Sequence, residues 1–261
     1  SALGQDSLGS NTTGDGNTAI GYAALLGNTT QDDNTAVGRV ALEQNQGSSN
    51  TAVGSNALTV NTTGVNNTAI GKDAGSSHTT GGYNTSVGKA ALISATTGNN
   101  NCALGEAAGA DITTGGNNIC IGQDSGRSGS PHTVSTGSNR IIIGNNNHSN
   151  AYIKIDWTVT SDKRDKIEDG TVPHGLDFVN QLIPRSFWFR KDRDSDEKTG
   201  QKRYGFFAQD ILELEGSDNV IIDNEDSENL KYKGEHLVPI LVNAIKELSA
   251  EVEQLKSQLN N

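Results

Sequence analysis

The sequence predicts a mainly β protein: a parallel β-roll or solenoid of 17-residue repeats, then an α+β domain that ends in a parallel coiled coil. Three observations predict this fold: a Gly-anchored repeat over 1–150, a composition change near Asp156, and a heptad pattern close to the C-terminus. The chain of 261 residues is only 33% hydrophobic and 5% aromatic, which disfavours a single large enzyme core.

The repeat is anchored by the pattern Asn-Thr-Ala-Ile/Val-Gly, which occurs at 17–21 and again at 34–38. Its last position recurs as Gly4, Gly21, Gly38, Gly54, Gly71, Gly88, Gly105, Gly122 and Gly144. Short strands between Gly-rich turns have no helical period. We therefore expect stacked rungs, with one rung for each repeat.

Each column of the repeat has a predicted role. The branched apolar residue before each Gly, such as Val53 or Ile70, is expected to face the core. The Ala before it is expected on the opposite face, where it would let another chain approach closely. The pair Ala57-Leu58 and its equivalents predict a second strand in each repeat. The Asn column that begins at Asn17 predicts a hydrogen-bond ladder along the axis.

Chain association is expected because each rung supplies few sizeable apolar side chains. The repeat also resembles the head repeats of trimeric autotransporter adhesins over about 1–145. That resemblance implies β-rolls that associate as three chains. Ser1 lies in the middle of a repeat, so we expect the sequence to be the C-terminal part of a longer protein.

Composition divides the chain and limits its partners. Most Gly precede Asp156 and most charged residues follow it, which predicts domains at 1–150, 151–235 and 236–261. The net charge of -11, without a basic stripe, argues against nucleic acid and anionic membranes as partners. No apolar run approaches the length of a membrane span, and the five scattered His predict neither a metal site nor a cofactor.

The C-terminal region reads as ordinary α+β sequence. The predicted helices are 174–182 and 209–215, and the predicted strands are 186–190, 203–206 and 219–222. A heptad seam follows, formed by Val238, Leu241, Ile245, Leu248, Val252, Leu255 and Leu259. This seam predicts a parallel coiled coil that joins the chains. Branched residues at heptad position a with Leu at position d favour a two-stranded coiled coil, so the heptads alone do not decide between a dimer and a trimer.

Two motifs carry the most specific signal in the chain. The first is Ser161-Asp162-Lys163-Arg164-Asp165-Lys166, and the second is Gly205-Phe206-Phe207-Ala208-Gln209-Asp210. Together with Leu230-Lys231-Tyr232 before a terminal coil, they resemble the self-cleaving intramolecular chaperone domain of phage tail fibres and tailspikes, a serine peptidase family that includes myelin regulatory factor. The resemblance covers about 156–261.

The resemblance implies a function for the whole chain. The domain would drive trimerisation of the viral fibre ahead of it and then cut the chain between Thr160 and Ser161. The protein would be made in the host cytoplasm and carried in the virion. Its partners would be two further copies of itself and a host cell-surface receptor such as a glycan.

The implied chemistry is that of a Ser-Lys dyad. Ser161 is the expected nucleophile and Lys166 the expected general base, which must reach its neutral form through burial. Asp162 and Asp165 flank the lysine and favour its charged form. The other motif residues are expected to support the site: Asp162, Arg164, Gly205, Phe206, Gln209 and Asp210.

Two alternative functions fit part of the pattern. The repeats alone fit a segment of a trimeric bacterial surface adhesin, although the C-terminal region has no pattern of amphipathic strands for an outer-membrane anchor. The Thr columns, such as Thr62-Thr63, suggest an ice-binding solenoid, although adjacent Thr at a turn point two ways.

Overall fold

A computed structural model of the chain describes residues 1–128, 132–148, 151–154, 159–191, 193–217 and 219–260. The chain forms two compact units, Ser1–His148 and Ser149–Asn261. The division lies close to the composition change near Asp156.

The first unit is a parallel β-solenoid of 17-residue repeats. Its strands are β1 (Ala2–Leu3), β2 (Thr18–Ile20), β3 (Thr35–Val37), β4 (Thr51–Val53), β5 (Thr68–Ile70), β6 (Thr85–Val87), β7 (Cys102–Leu104), β8 (Ile119–Ile121) and β9 (Ile141–Ile143). Strands that follow one another in sequence are neighbours in one sheet. The repeat from Gly38 to Gly54 is 16 residues long, one shorter than its neighbours. Thr35 nevertheless pairs with Thr51 in the same register as with Thr18, so the shorter repeat does not shift the stack.

The expected second strand is a turn instead. Leu58 has a left-handed backbone with φ of 49°, and Asn56, two residues before it, has φ of 59°. Such a conformation costs an ordinary residue about 1 to 2 kcal/mol. Two gains offset that cost: the Leu58 side chain is fully buried, and its N–H donates to the Ala74 carbonyl of the next rung at 3.0 Å.

The predicted orientation of the strand residues is wrong. Ala69, the middle residue of β5, is completely buried, whereas Ile70 is 42% exposed. The same reversal holds along the stack, where Ala52 is buried and Leu104 is exposed. In the rungs from β2 to β5 the interior is narrow because it also holds the Leu58 column and two columns of Asn, and a methyl group fills the remaining space. Alternation along the strand then directs the bulkier residues outwards.

The predicted Asn ladder is confirmed, and it bonds mainly to the backbone. The side-chain oxygen of Asn34 accepts from the backbone N–H of Asn50 at 2.9 Å, and its amide donates to the Gly47 carbonyl at 3.0 Å. Sequence reasoning missed a second buried column, in which Asn45 donates to Asn28 at 2.9 Å and Asn61 donates to Asn45 at 2.7 Å. Buried amides are thus paired rung to rung.

The anchoring Gly column has a steric cause. Gly54 has φ of 141°, and a Cβ there would lie 2.4 Å from the carbonyl oxygen of Gly71 in the next rung. No side chain fits between backbones at that distance. The column therefore fixes the spacing of the stack at the end of each strand.

The second unit contains three helices and two small antiparallel pairs among its described residues. The elements are α1 (Leu176–Gln181), β10 (Arg185–Arg190), β11 (Lys198–Gly205), α2 (Ala208–Glu215), β12 (Ile222–Asp223), β13 (Lys231–Tyr232) and α3 (Leu237–Leu259). Its core consists of Phe178, Ile211, Ile221, Ile222, Leu237 and Ile240. The first turns of α3 therefore belong to this core, and they bury one face of the helix.

Candidate functional site

The motif serine and lysine meet within one short turn. Residues Lys163–Asp165 form a single 3-10 turn, capped by Asp162, whose side chain accepts the N–H of Arg164 at 2.9 Å. The turn reverses the chain so that Lys166 Nζ donates to Ser161 Oγ at 2.6 Å. A serine oxygen and an amine at this distance are placed for proton transfer once the amine is neutral.

The Asp162 carboxylate is committed to Arg164. The guanidinium donates from Nε to both carboxylate oxygens at 3.1 Å and from Nη2 to Oδ2 at 2.6 Å. These side-chain bonds, followed by the bond from the Arg164 backbone, hold the pKa of Asp162 below its usual value. The same pairing raises the pKa of Arg164.

Water surrounds the dyad in the single chain. Thr160, Ser161 and Lys166 are exposed, and so is Asp165. Among the described residues, neither Asp162 nor Asp165 forms an ion pair with Lys166. The carboxylates that the sequence placed beside the lysine are therefore not in salt-bridge contact with it.

The second motif builds a different part of the unit. Asp210, in the first turn of α2, accepts from Arg185 Nη2 at 2.9 Å and from Nε at 3.1 Å. Gly205 ends β11, where a Cβ would lie 3.2 Å from the Phe187 ring, and the half-buried Phe206 packs 6.0 Å from the Tyr232 ring. These residues attach the β10–β11 hairpin and β13 to α2.

The two motifs do not share a contact in the described part of the chain. The Gln209 side chain is exposed and forms no hydrogen bond there, and none of the side-chain bonds of Asp210 reaches Ser161 or Lys166. Of the predicted support residues, Asp162 and Arg164 lie at the dyad. Gly205, Phe206, Gln209 and Asp210 stabilise the fold around α2 or lie on its surface.

Sequence reasoning missed two carboxylates that organise this unit. Glu215 is only 6% exposed and accepts the N–H groups of Val220, Ile221 and Ile222 at 2.9, 2.6 and 3.0 Å. Glu247 of α3 accepts the N–H of Leu176 at 2.6 Å. Their partners are backbone groups, which no side-chain pattern in the sequence displays.

The heptad seam of α3 is unpaired in the single chain. Its residues are between 37% and 85% exposed: Val238, Leu241, Ile245, Leu248, Val252, Leu255 and Leu259. The buried residues of the same helix, Leu237, Ile240 and Ala244, lie on a separate face that packs into the core of the unit. The helix thus has one apolar face inside its own unit and a second one facing solvent.

The solenoid carries a second unpaired apolar set, here called the outward column. It consists of the branched residue that ends each strand: Leu3, Ile20, Val37, Val53, Ile70, Val87, Leu104, Ile121 and Ile143. The large exposed members include Leu3 at 70% and Ile143 at 62%. Because the strands are stacked in register, these side chains form a continuous apolar stripe.

Comparisons with protein-family models, with curated proteins and with solved structures found no match. The described residues contain no group of three or more His, Cys, Asp or Glu side chains placed to hold a metal ion. None of the helices in the described ranges combines the length and apolarity needed to cross a bilayer. The function therefore has to be argued from the geometry above.

Proposed function

We propose that this chain is the distal part of a trimeric viral tail fibre whose C-terminal unit drives trimerisation and then cuts itself off between Thr160 and Ser161. The solenoid would be the part that stays on the virion and meets a host receptor such as a glycan. The observation that carries the proposal is the 2.6 Å contact between Lys166 Nζ and Ser161 Oγ, formed within the motif that resembles the self-cleaving family.

Association is supported by the apolar residues that the single chain leaves uncovered. The helix α3 continues past the core of its unit, and an unsupported helix end of this kind is only marginally stable in water. A parallel coiled coil covers the seam and brings the C-terminal ends of the chains together. The outward column of the solenoid offers the same chains a second apolar surface.

The cleavage chemistry follows from the dyad. Neutral Lys166 takes the proton from Ser161 Oγ, which attacks the carbonyl carbon of Thr160. The bond between that carbon and the Ser161 nitrogen breaks, and the proton passes from Lys166 to the departing nitrogen. The result is an ester between the Thr160 acyl group and Ser161 Oγ. Water then hydrolyses this ester, which leaves a carboxylate on Thr160 and a free hydroxyl on Ser161.

Assembly is the step that would activate the dyad. In water, an amine with its ordinary pKa is mostly protonated at neutral pH and is a poor base. Burial between chains disfavours the charged form of Lys166 and makes the base available. Cleavage would then follow correct assembly, and it would make release of the C-terminal unit irreversible.

Two measurements on the full chain test the cleavage. Intact mass of the purified protein should show two fragments, one of which begins at Ser161. The variants Ser161→Ala and Lys166→Ala should remain uncut, with the same oligomeric mass as the parent before cleavage. A parent trimer that stays intact for days would refute self-cleavage and favour the surface adhesin segment. An uncut monomer that reshapes growing ice crystals would favour the ice-binding solenoid.

Association has its own test on α3. Ile245→Asp places a charge in the seam, where the single chain leaves the side chain exposed, so the unit still folds. We expect monomers in sedimentation equilibrium, whereas Ala250→Asp, on the opposite side of the exposed helix, should leave the trimer intact. A trimer that survives both substitutions would show that the seam does not hold the chains together.

A further inference from the structure

We propose that Arg164 is a positioning residue of the self-cleavage site: by binding both carboxylate oxygens of Asp162, it holds the turn that delivers Lys166 to Ser161 and keeps that carboxylate away from the lysine. This inference rests on the proposed function and gives Arg164 a specific role in it. Arg164 touches neither the scissile bond nor the reacting atoms, so its role is exerted through Asp162.

The first part of the argument is the number of bonds within the turn. Asp162 accepts the Arg164 backbone N–H and three bonds from the guanidinium. Lys166 closes the same turn with its backbone N–H on the Lys163 carbonyl at 3.2 Å. A forked donor on a planar carboxylate fixes orientation as well as distance. The turn that separates Ser161 from Lys166 is thus held by Arg164.

The second part is the competition for Lys166. The charged groups beside Lys166 are those of its own turn, Asp162, Lys163, Arg164 and Asp165, with Glu168 just beyond. The one hydrogen bond of its side chain in the described chain goes to Ser161, and no helix or strand there contributes an ion pair.

Without Arg164, the Asp162 carboxylate would lose its side-chain partner within the turn that Lys166 closes. A salt bridge from Asp162 to Lys166 would hold the amine in its charged form and draw it away from the serine.

The variant Arg164→Gln tests both parts on the full chain. We expect cleavage at pH 7 to slow about tenfold and the midpoint of its pH profile to rise by about one unit, as an added opposite charge beside an amine requires. Adding Asp162→Asn to Arg164→Gln removes the competing carboxylate but keeps an oxygen that can cap the turn. The midpoint should then return to that of the parent.

Lys163→Gln is the matched control. It removes the same charge from the same exposed turn, but Lys163 makes no side-chain bond there. We expect its rate and pH profile to stay within about twofold and about 0.3 units of the parent, because exposed charges are strongly screened. If Lys163→Gln shifted the midpoint of the pH profile as much as Arg164→Gln does, the loss of one positive charge would explain both results. That outcome would overturn the proposal.

A titration independent of cleavage separates this inference from the proposed function. In the uncut Ser161→Ala chain, the pKa of Lys166 is followed by NMR of its side chain, with and without Arg164→Gln. A rise with the substitution, reversed by Asp162→Asn, supports the positioning role even if the parent chain never cuts. An unchanged lysine titration would refute the role of Arg164, and a parent that still cuts would leave the self-cleavage proposal standing.

Discussion

The solenoid and the C-terminal unit close their interiors in different ways. The solenoid stacks the same small residue on its own copy in the next rung, as Ala36 lies between Ala19 and Ala52. The core of the C-terminal unit instead packs different large residues against one another, such as Phe178 and Ile211, without a repeated column. From Ala19 to Ala69 this position holds only a methyl group, and larger side chains, Cys120 and Ile142, occupy it only near the last strands. In the alanine rungs the larger strand residue faces outwards, where it remains available to another chain.

The two units also differ in how they bury polar groups. In the solenoid, each buried Asn is paired with the rung next to it, so the bonds repeat along the axis. Among its described residues, the C-terminal unit buries one carboxylate, that of Glu215, which accepts from three consecutive backbone N–H groups. The loss of one Asn would leave one backbone N–H of the next rung without its acceptor, whereas the loss of Glu215 would leave three.

The largest expected effect comes from placing a charge inside the stack. Ala69→Asp buries a carboxylate with no partner in a space that holds a methyl group, and it should destabilise the solenoid by about 4 kcal/mol or more. Circular dichroism and sedimentation of the full chain would show loss of the β signal and aggregation.

The neighbouring residue is the control for that experiment. Ile70→Asp changes an outward side chain of the same strand, so the single-chain fold should survive while association of the solenoid weakens. If Ile70→Asp unfolds the solenoid and Ala69→Asp does not, the orientation described above is wrong.

The next largest effect is expected in the C-terminal unit. Glu215→Ala leaves three backbone N–H groups without their acceptor, two of them buried, which should cost about 3 kcal/mol. Amide hydrogen exchange of Ile221 and Ile222 in the full chain would measure the loss locally. The exposed Glu213 on the same helix supplies the control, because Glu213→Ala should change protection by less than about 0.5 kcal/mol. Equal effects of the two substitutions would contradict the role assigned to Glu215.

The sequence predicts the architecture well because the architecture is periodic. The Gly spacing predicts one rung per repeat, and the register of the sheet follows it even at the shorter repeat. The elements around α1, α2 and α3 also lie close to their predicted positions. Periodicity says that two faces alternate, but it does not say which is inside. The wrong orientation of Ile70 came from equating bulk with burial.

The candidate site was predictable in part for a similar reason. Ser161 and Lys166 belong to a motif that is contiguous in sequence, so one turn brings them together. Gly205 and Asp210 belong to a second motif. The order of the motifs in the sequence does not reveal that these two residues contact Phe187 and Arg185 rather than the dyad. Contacts between a side chain and a distant backbone N–H, such as those of Glu215, leave no trace in composition or spacing.

A smaller effect should follow from exchanging residues between two columns of the solenoid. Where three successive rungs pair a buried Leu with a buried Asn, as at Leu58 and Asn61, the next rung pairs Gly75 with His78. A Cβ on Gly75 would lie 2.8 Å from the His78 ring nitrogen, so the imidazole occupies the space that leucine fills elsewhere. Gly75→Leu alone should destabilise by about 2 kcal/mol through this clash.

The double variant should cancel that loss. Gly75→Leu with His78→Asn recreates the arrangement of the rung below, and the left-handed backbone is no obstacle because Leu58 adopts φ of 49°. The new amide would also donate to Asn61 Oδ1, which has no hydrogen-bond partner in the structure. Chemical denaturation should place the double variant within about 0.5 kcal/mol of the parent, with a coupling of about 2 kcal/mol. Additive losses would show that the two columns do not share one space.

The smallest effect is a dependence of solenoid stability on pH. His78 is fully buried, its Nδ1 lies 2.9 Å from the Gly75 carbonyl, and its Nε2 has no partner. Burial lowers the pKa of this imidazole from 6.5, so the folded chain holds it neutral while the unfolded chain takes up a proton. The stabilisation is therefore complete above pH 6.5 and is lost as the pH falls below it, by at most about 1.4 kcal/mol per unit. Unfolding midpoints between pH 7 and 5 should fall more steeply for the parent than for the Gly75→Leu, His78→Asn double variant, which lacks the titrating group. Parallel profiles for the two proteins would mean that His78 gains a proton in the folded stack, and that the rung can open to water without unfolding.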